Sequence, residues 1–290
     1  MIIDIHAHIG RIVPDQREFM DAPAVVAKMD AWGIDKACVL ALSDTPEGSY
    51  LEAGTEDVLR ECARFPDRLI PFCLIDPRFG DNSPTMDFSG LLAEYKARGC
   101  RGLGEVLPKM PFDDPKLLNL YRHAGKAGLP VLFDMYARPD SYGVTDEPGL
   151  PRLERALAAC PETTFIGHGP TFWAEISGGV TGEDRWAYPK GKIQAGGAVP
   201  RLLGQYANLV ADISALSGYN ALARDQAFGL TFLEQFQDKL LFGCDNCLRS
   251  NTLAQVPIMD YFLAVRDAVR IPQEAWDKIA WKNAKRVLAL

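Results

Sequence analysis

His6 and His8 stand one residue apart in the run Ile2-Ile3-Asp4-Ile5-His6-Ala7-His8-Ile9-Gly10. In an extended strand alternate side chains share a face, so the two imidazoles project together, about 7 Å apart by strand rise. Held that way they can grip one metal ion. Other groups able to ligate or to move protons follow at wide intervals: Glu105, Asp134, His168, Asp212 and Asp245. Each ends, or lies within, a short apolar run of strand character. The chain has four histidines, and three of them belong to this set. The fourth, His123, falls in the helical stretch Tyr121-Arg122-His123-Ala124-Gly125 and reads as structural or surface. Asp212 reads as a buried hydrogen-bond acceptor.

Groups so far apart in sequence need a scaffold that gathers them. After a loop from Arg11 to Asp21, a helix is expected from Ala22 to Trp32, closed by Gly33 as a C-cap. Ala37 to Leu42 is a nearly continuous apolar run, as in a strand covered on both faces. The unit then repeats, with strands expected over 68–75, 100–106, 130–133, 163–167, 208–213 and 239–243. Helices are expected over 55–65, 88–97, 114–128, 150–160, 199–206, 227–236, 258–269 and 273–288. The stretch from Gly169 to Gly197 interrupts the rhythm and is rich in Gly, Trp, Tyr and charge; a loop of that length in a compact domain is usually functional. Eight strands alternating with helices imply the α/β class and a single (β/α)8 TIM barrel over residues 1–290. The polar residues sit at the C-terminal strand ends, which a barrel brings into one ring at its mouth.

Composition narrows the function. The 290 residues are 48% hydrophobic and 24% charged, with a net charge of -7, so no basic field exists to attract nucleic acid or an anionic membrane. No window approaches the roughly twenty apolar residues of a membrane span. The chain begins directly on a strand, which sets an expectation of cytoplasmic location. Seven cysteines, an odd number, are scattered through apolar runs, the pattern of reduced intracellular thiols. Cys244-Asp245-Asn246-Cys247 fits Cys-x-x-Cys, but no second such pair accompanies it.

The His6-Ala7-His8 start, Phe165-Ile166-Gly167-His168-Gly169, Leu241-Phe242-Gly243-Cys244-Asp245 and the closing Asn283-Ala284-Lys285-Arg286-Val287-Leu288 together resemble the amidohydrolase superfamily. Within it, the chain is most similar to the metal-dependent branch related to aminocarboxymuconate semialdehyde decarboxylase. The resemblance implies a (β/α)8 barrel with one or two divalent ions at the mouth, usually zinc. By similarity His6 and His8 match first-strand ligands, and Asp245 matches the eighth-strand carboxylate that touches metal and takes up a proton. His168 matches a sixth-strand histidine that is a ligand in two-metal members and a catalytic partner in one-metal members. The fifth strand of this branch commonly ends in a metal-binding histidine; here it ends in Asp134, either a substitute ligand or a group that orients a histidine. Glu105 stands where relatives carry a bridging lysine or glutamate. These added carboxylates favour a second ion, or Mn or Fe over Zn.

The expected activity is metal-dependent hydrolysis of a small carboxylate-bearing or cyclic substrate, with Asp245 and His168 as catalytic residues. Decarboxylation of an aromatic or unsaturated acid on the same metal is the alternative, and a metal-binding barrel without catalysis is a third reading. Trp173, Arg185 and Tyr188 in the sixth loop are candidate substrate contacts, with Arg138 and Arg249 as partners for a substrate carboxylate. The loop aromatics would equally suit a contact between copies in a homo-oligomer.

Overall fold

The computed structural model describes residues 1–13, 19–252 and 256–290; part of the loop expected over Arg11 to Asp21 therefore lies outside the described residues. Among those residues are eight strands: β1 (Ile3–His8), β2 (Lys36–Leu40), β3 (Leu69–Pro71), β4 (Leu103–Val106), β5 (Val131–Asp134), β6 (Phe165–His168), β7 (Leu209–Asp212) and β8 (Leu240–Leu241). All neighbouring pairs are parallel. The strands form two arcs, β1-β2-β3 and β4-β5-β6-β7-β8. At one seam Cys73 N donates to Gly102 O (3.0 Å) and Gly104 N to Cys73 O (2.7 Å). At the other, Ile5 N donates to Phe242 O (2.9 Å) and Asp245 N to His6 O (2.7 Å). The architecture is the expected (β/α)8 barrel, with two seams less regular than its ladders.

Helices α1 (Ala22–Trp32), α2 (Thr55–Cys62), α3 (Ser89–Ala97), α4 (Pro115–Ala127) and α5 (Pro151–Ala159) cover the first five crossovers. Local chemistry sets several ends. The Asp21 carboxylate accepts from Ala24 N at the start of α1, and Gly33 closes that helix at φ 72°, a conformation that lacks a steric penalty only in glycine. Asp114 caps α4 in the same way. The interval from Gly169 to Gly197 is not structureless: it contains the short helix α6 (Pro170–Ala174) and a 3-10 turn at Gly182–Arg185. Then follow α7 (Ala198–Gln205), α8 (Ala215–Ala223), α9 (Gln226–Gln235) and α10 (Pro257–Asp267). The last helix predicted by periodicity is split into α11 (Gln273–Asp277) and α12 (Asn283–Leu288) by a π-helical turn at Lys278–Lys282. Within that turn the Ile279 carbonyl accepts from Phe242 N (3.0 Å), so the closing segment is bonded to the end of β8.

Two apolar layers result. Ile3, Ile5, Cys38, Leu40, Ile70, Phe72, Leu132, Ile166, Val210 and Leu241 fill the barrel interior, with Ala284 and Leu288 of α12 packed against them. A larger cluster lies between strands and helices. Full burial on both faces is why the strands read as continuous apolar runs. Among the described residues no helix is long and apolar enough to cross a membrane.

Candidate metal centre

Strand parity builds the site. On β5, β6 and β7 the interior residues Leu132, Ile166 and Val210 are each followed two positions on by Asp134, His168 and Asp212, which therefore point the same way at the C-terminal end. On β1 simple alternation does not suffice, because Ile3 and Ile5 occupy the interior while Ala7 packs outside. An extra residue in β1 between Asp4 and Ala7, relative to β2, changes the parity and lets His6 and His8 face inward. A matching irregularity in β4 between Leu103 and Val106 delivers Glu105 to the same place. Bulges that re-aim a side chain are common beside active sites.

The donor atoms converge tightly. His6 Nε2 and His8 Nε2 are 3.0 Å apart, and each lies 3.4–3.5 Å from Asp245 Oδ1. Glu105 Oε2 is 3.4 Å from the first nitrogen and 3.5 Å from the second. Donors around one tetrahedral ion, at bond lengths near 2.1 Å, sit about 3.4 Å from one another. His6, His8 and Asp245 thus form one triad able to hold a metal; His6, Glu105 and His168 form a second. His168 Nε2 lies 4.0 Å from Glu105 Oε1 and from Asp245 Oδ2, the oxygens turned away from the first triad.

Tautomers strengthen the fit. His6 Nδ1 donates to Asp212 Oδ2 (2.7 Å) and His8 Nδ1 to the Leu40 carbonyl (3.1 Å), which leaves the facing Nε2 lone pairs bare. Two bare lone pairs 3.0 Å apart require a cation, a proton or a metal, to hold them. Charge points the same way. Burial disfavours the imidazolium, yet the charges of Asp245 and Glu105 and the bond to Asp212 keep His6 well above its ordinary pKa. His168 is likewise held at about 9, burial and His6 opposing and Asp212 prevailing.

Asp212 is the organising acceptor. Its Oδ2 also lies 3.1 Å from His168 Nδ1 and accepts from Ser214 Oγ (2.7 Å), while its Oδ1 accepts from Ser214 N (2.9 Å). Burial alone would raise this carboxyl, but the bonds from His168 and His6 hold it far below the usual range. Such partners fix ring orientation and raise ligand basicity.

A family model described as amidohydrolase matches residues 3–290. The chain belongs to the amidohydrolase family. Solved structures of similar fold include a probable 2-pyrone-4,6-dicarboxylic acid hydrolase from Acinetobacter baumannii with citric acid bound (15% identity, TM-score 0.60, covering 100% of this chain and 99% of that one). Another is an uncharacterized TIM-barrel protein from Bordetella bronchiseptica (19%, TM-score 0.64, 99% and 98%). A third is a dihydroxybenzoic acid decarboxylase from a Polaromonas species, with bound manganese and the inhibitor 2-nitroresorcinol (16%, TM-score 0.58, 100% and 97%). No curated protein sequence matches the chain.

In this amidohydrolase the structure departs from several sequence expectations. Asp134 joins neither donor triad, and its buried Oδ1 has no hydrogen-bond partner. Trp173 is no pocket wall: it is 1% exposed, packs on Phe172 and Phe232 and donates from Nε1 to the Asp212 carbonyl (2.9 Å). Arg185 is buried in an ion pair with Glu175 (2.9 Å) and donates to the Asp146 carbonyl, pinning the sixth loop to the fifth. Arg249 donates to the Phe19 carbonyl (3.1 Å), and Arg138 is exposed. Tyr188, 44% exposed, stays close enough to Asp245 and Asp134 for their charges to raise its phenol pKa, after burial. His123 sits on α4, bonded to the Asn119 carbonyl. Cys244 and Cys247 are free thiols. Sequence reasoning missed Ser214, two residues past Asp212, which bonds Asp212 and His168; no local signal marks it.

Proposed function

We propose that this chain is a metal-dependent hydrolase acting on a small cyclic substrate. The observation that carries it is the His6, His8 and Asp245 triad at 3.0–3.5 Å, in which the two histidines are fully buried and the Asp245 side chain stays 27% exposed. A purely structural site closes all its positions; this one keeps an accessible acid beside it. His6, His8 and Asp245 would hold one ion, zinc or manganese, with Glu105 and His168 flanking it or completing a second site. The ion would supply Lewis-acid activation of water and of the substrate carbonyl.

The chain's own groups do the rest. Asp245 accepts the proton that water loses as its oxygen adds to the carbonyl, then delivers it to the departing oxygen or nitrogen. His168 is fixed by Ser214 Oγ (3.1 Å) and Asp212 through Nδ1, which leaves Nε2 free to bond the substrate or stabilise developing charge. Burial of His6, His8, Glu105 and Asp212 keeps water away from all but the open side.

Decarboxylation on the same centre stands beside this reading, because a decarboxylase of similar fold carries manganese. Metal-loaded protein assayed against lactones, esters, amides and carboxylic acids separates them. Net water addition without carbon dioxide supports hydrolysis, and carbon dioxide release without water addition supports the lyase. Asp245→Asn should abolish turnover while retaining most metal; near-wild-type turnover refutes the proton role. Full metal loading with no turnover on any of the panel favours a binding protein.

A further inference from the structure

The end of the barrel opposite the metal centre carries a cavity that the chemistry above does not use. Its volume is about 490 Å³, within the range of small-molecule sites. The lining comes from the N-terminal ends of strands: Lys36 opens β2, Leu69–Pro71 is β3, and Arg101 lies just before β4. The last turn of α2, the residues after α3 and the closing segment complete the wall. This face of such a barrel serves stability rather than catalysis, so the reaction at the mouth does not account for the cavity. Two kinds of side chain meet in it. Leu59, Cys62, Leu69 and Ile70 form a floor, each 2–8% exposed. Around that floor stand Lys36, Arg98, Arg101 and Lys285, and none of the lining residues is acidic, in a chain of net charge -7. Two of these cations are engaged: Arg98 is clamped by both oxygens of Glu56 (2.6 and 2.7 Å), and Lys36 donates to the Asp67 carbonyl. The other two lack an anion. Among the described residues the Arg101 guanidinium makes no hydrogen bond or ion pair, and the Lys285 ammonium has only the face of Trp281, 5.3 Å away.

We propose that this cavity binds an aliphatic carboxylate of medium chain length, its head on Arg101 and Lys285 and its chain over the floor of Leu59, Leu69 and Ile70. The lining selects that class. A guanidinium presents a fork that matches a carboxylate, and Lys285 adds a second positive charge. None of the lining residues is aromatic, so no ring is offered for stacking by a base or an aromatic acid. No side-chain hydroxyl or amide lines the cavity either, and the polar groups of a sugar or nucleotide would give up water without replacement. The methylenes of an aliphatic chain have no such groups to satisfy. The site lies away from the metal centre and does not depend on the reaction there.

The test is calorimetric titration of hexanoate, octanoate, decanoate and octan-1-ol into the zinc-loaded full chain. Full burial of a methylene is worth about fourfold in affinity; in a cavity open on one side at least about twofold is expected, so decanoate should bind at least about tenfold tighter than hexanoate. Octanoate should bind at least about fivefold tighter than octan-1-ol, which has the same chain without the charge. Replacing both cations, Arg101→Ala with Lys285→Ala, should erase that preference. Ala63 lines the open side of the cavity, is exposed and has helical dihedral angles, so Ala63→Trp fills the space without a backbone change and should weaken octanoate at least about tenfold. If Ala63→Trp does not fold, the variant without the two cations carries the test. A carboxylate captured by the metal centre instead would bind both variants as tightly as wild type. That result, octan-1-ol bound as tightly as octanoate, an affinity independent of chain length, or no binding of octanoate by wild type at millimolar concentration would each overturn the assignment.

Discussion

Replacing Asp212 by Asn tests whether one buried carboxylate sets the metal affinity of the centre. Asp212 Oδ2 accepts from His6 Nδ1 (2.7 Å) and Ser214 Oγ (2.7 Å) and lies 3.1 Å from His168 Nδ1, while Oδ1 accepts from Ser214 N (2.9 Å). Asparagine offers one acceptor oxygen where two now work. If that oxygen keeps the Ser214 amide, the NH2 group faces His6 Nδ1 and forces the proton of the imidazole onto Nε2. That nitrogen is the one that must ligate. If the amide is turned the other way, Ser214 N is orphaned instead. Loss of an outer partner of this kind typically weakens metal binding about 10- to 100-fold, equivalent to about 1.4–2.7 kcal/mol. Chelator competition on wild type and Asp212→Asn, with circular dichroism to confirm folding, reads the effect directly. A folded variant whose zinc affinity stays within about twofold of wild type would refute the argument that Asp212 prepares the histidines.

Three further outcomes are expected. Dialysis against a chelator should lower the melting temperature by about 5–10 °C, restored on adding metal, because an ion at about 100 times its Kd contributes about 2.7 kcal/mol to the folded state; an unchanged melting curve would argue against a metal site. Gly169→Ala should destabilise by at least about 2–3 kcal/mol in denaturant titration, since its φ of 102° is unsuited to alanine and the new Cβ would meet Asp134 Oδ1, Met135 N and Met135 O at 2.2–2.7 Å; a loss under about 1 kcal/mol would show that the β5–β6 junction can yield. Asp146, whose carboxylate accepts from Arg152 N and Leu153 N at the start of α5, is raised to about 6 by burial, against those bonds. A carboxyl raised on folding favours the folded state below its ordinary range and loses that contribution as pH climbs through 6. The stability advantage of wild type over Asp146→Asn should therefore shrink between pH 4 and pH 7, by on the order of 1–3 kcal/mol; an advantage that grows over that interval would reverse the sign of the argument.

What the sequence determined by itself is the periodic part of the molecule. Apolar runs of strand length alternate with amphipathic helices because strands covered on both faces and helices covered on one leave different patterns, and those patterns are local. His6, His8, His168 and Asp245 were legible for a related reason, since each stands where an apolar run stops and a barrel opens its mouth. The tertiary structure decided what depends on parity and depth. Extra residues in β1 and β4 turn His6 and Glu105 inward, and a bulge is a property of two strands rather than of one. Trp173 and Arg185 carry the side chains of a binding loop but are buried, because what covers them comes from segments far away in sequence. Asp134 and Asp212 are both aspartates at inward strand positions; one lacks a partner for a buried oxygen and the other accepts from His6 and Ser214 and lies 3.1 Å from His168. That difference lies in the neighbours across the barrel, which a linear pattern does not encode.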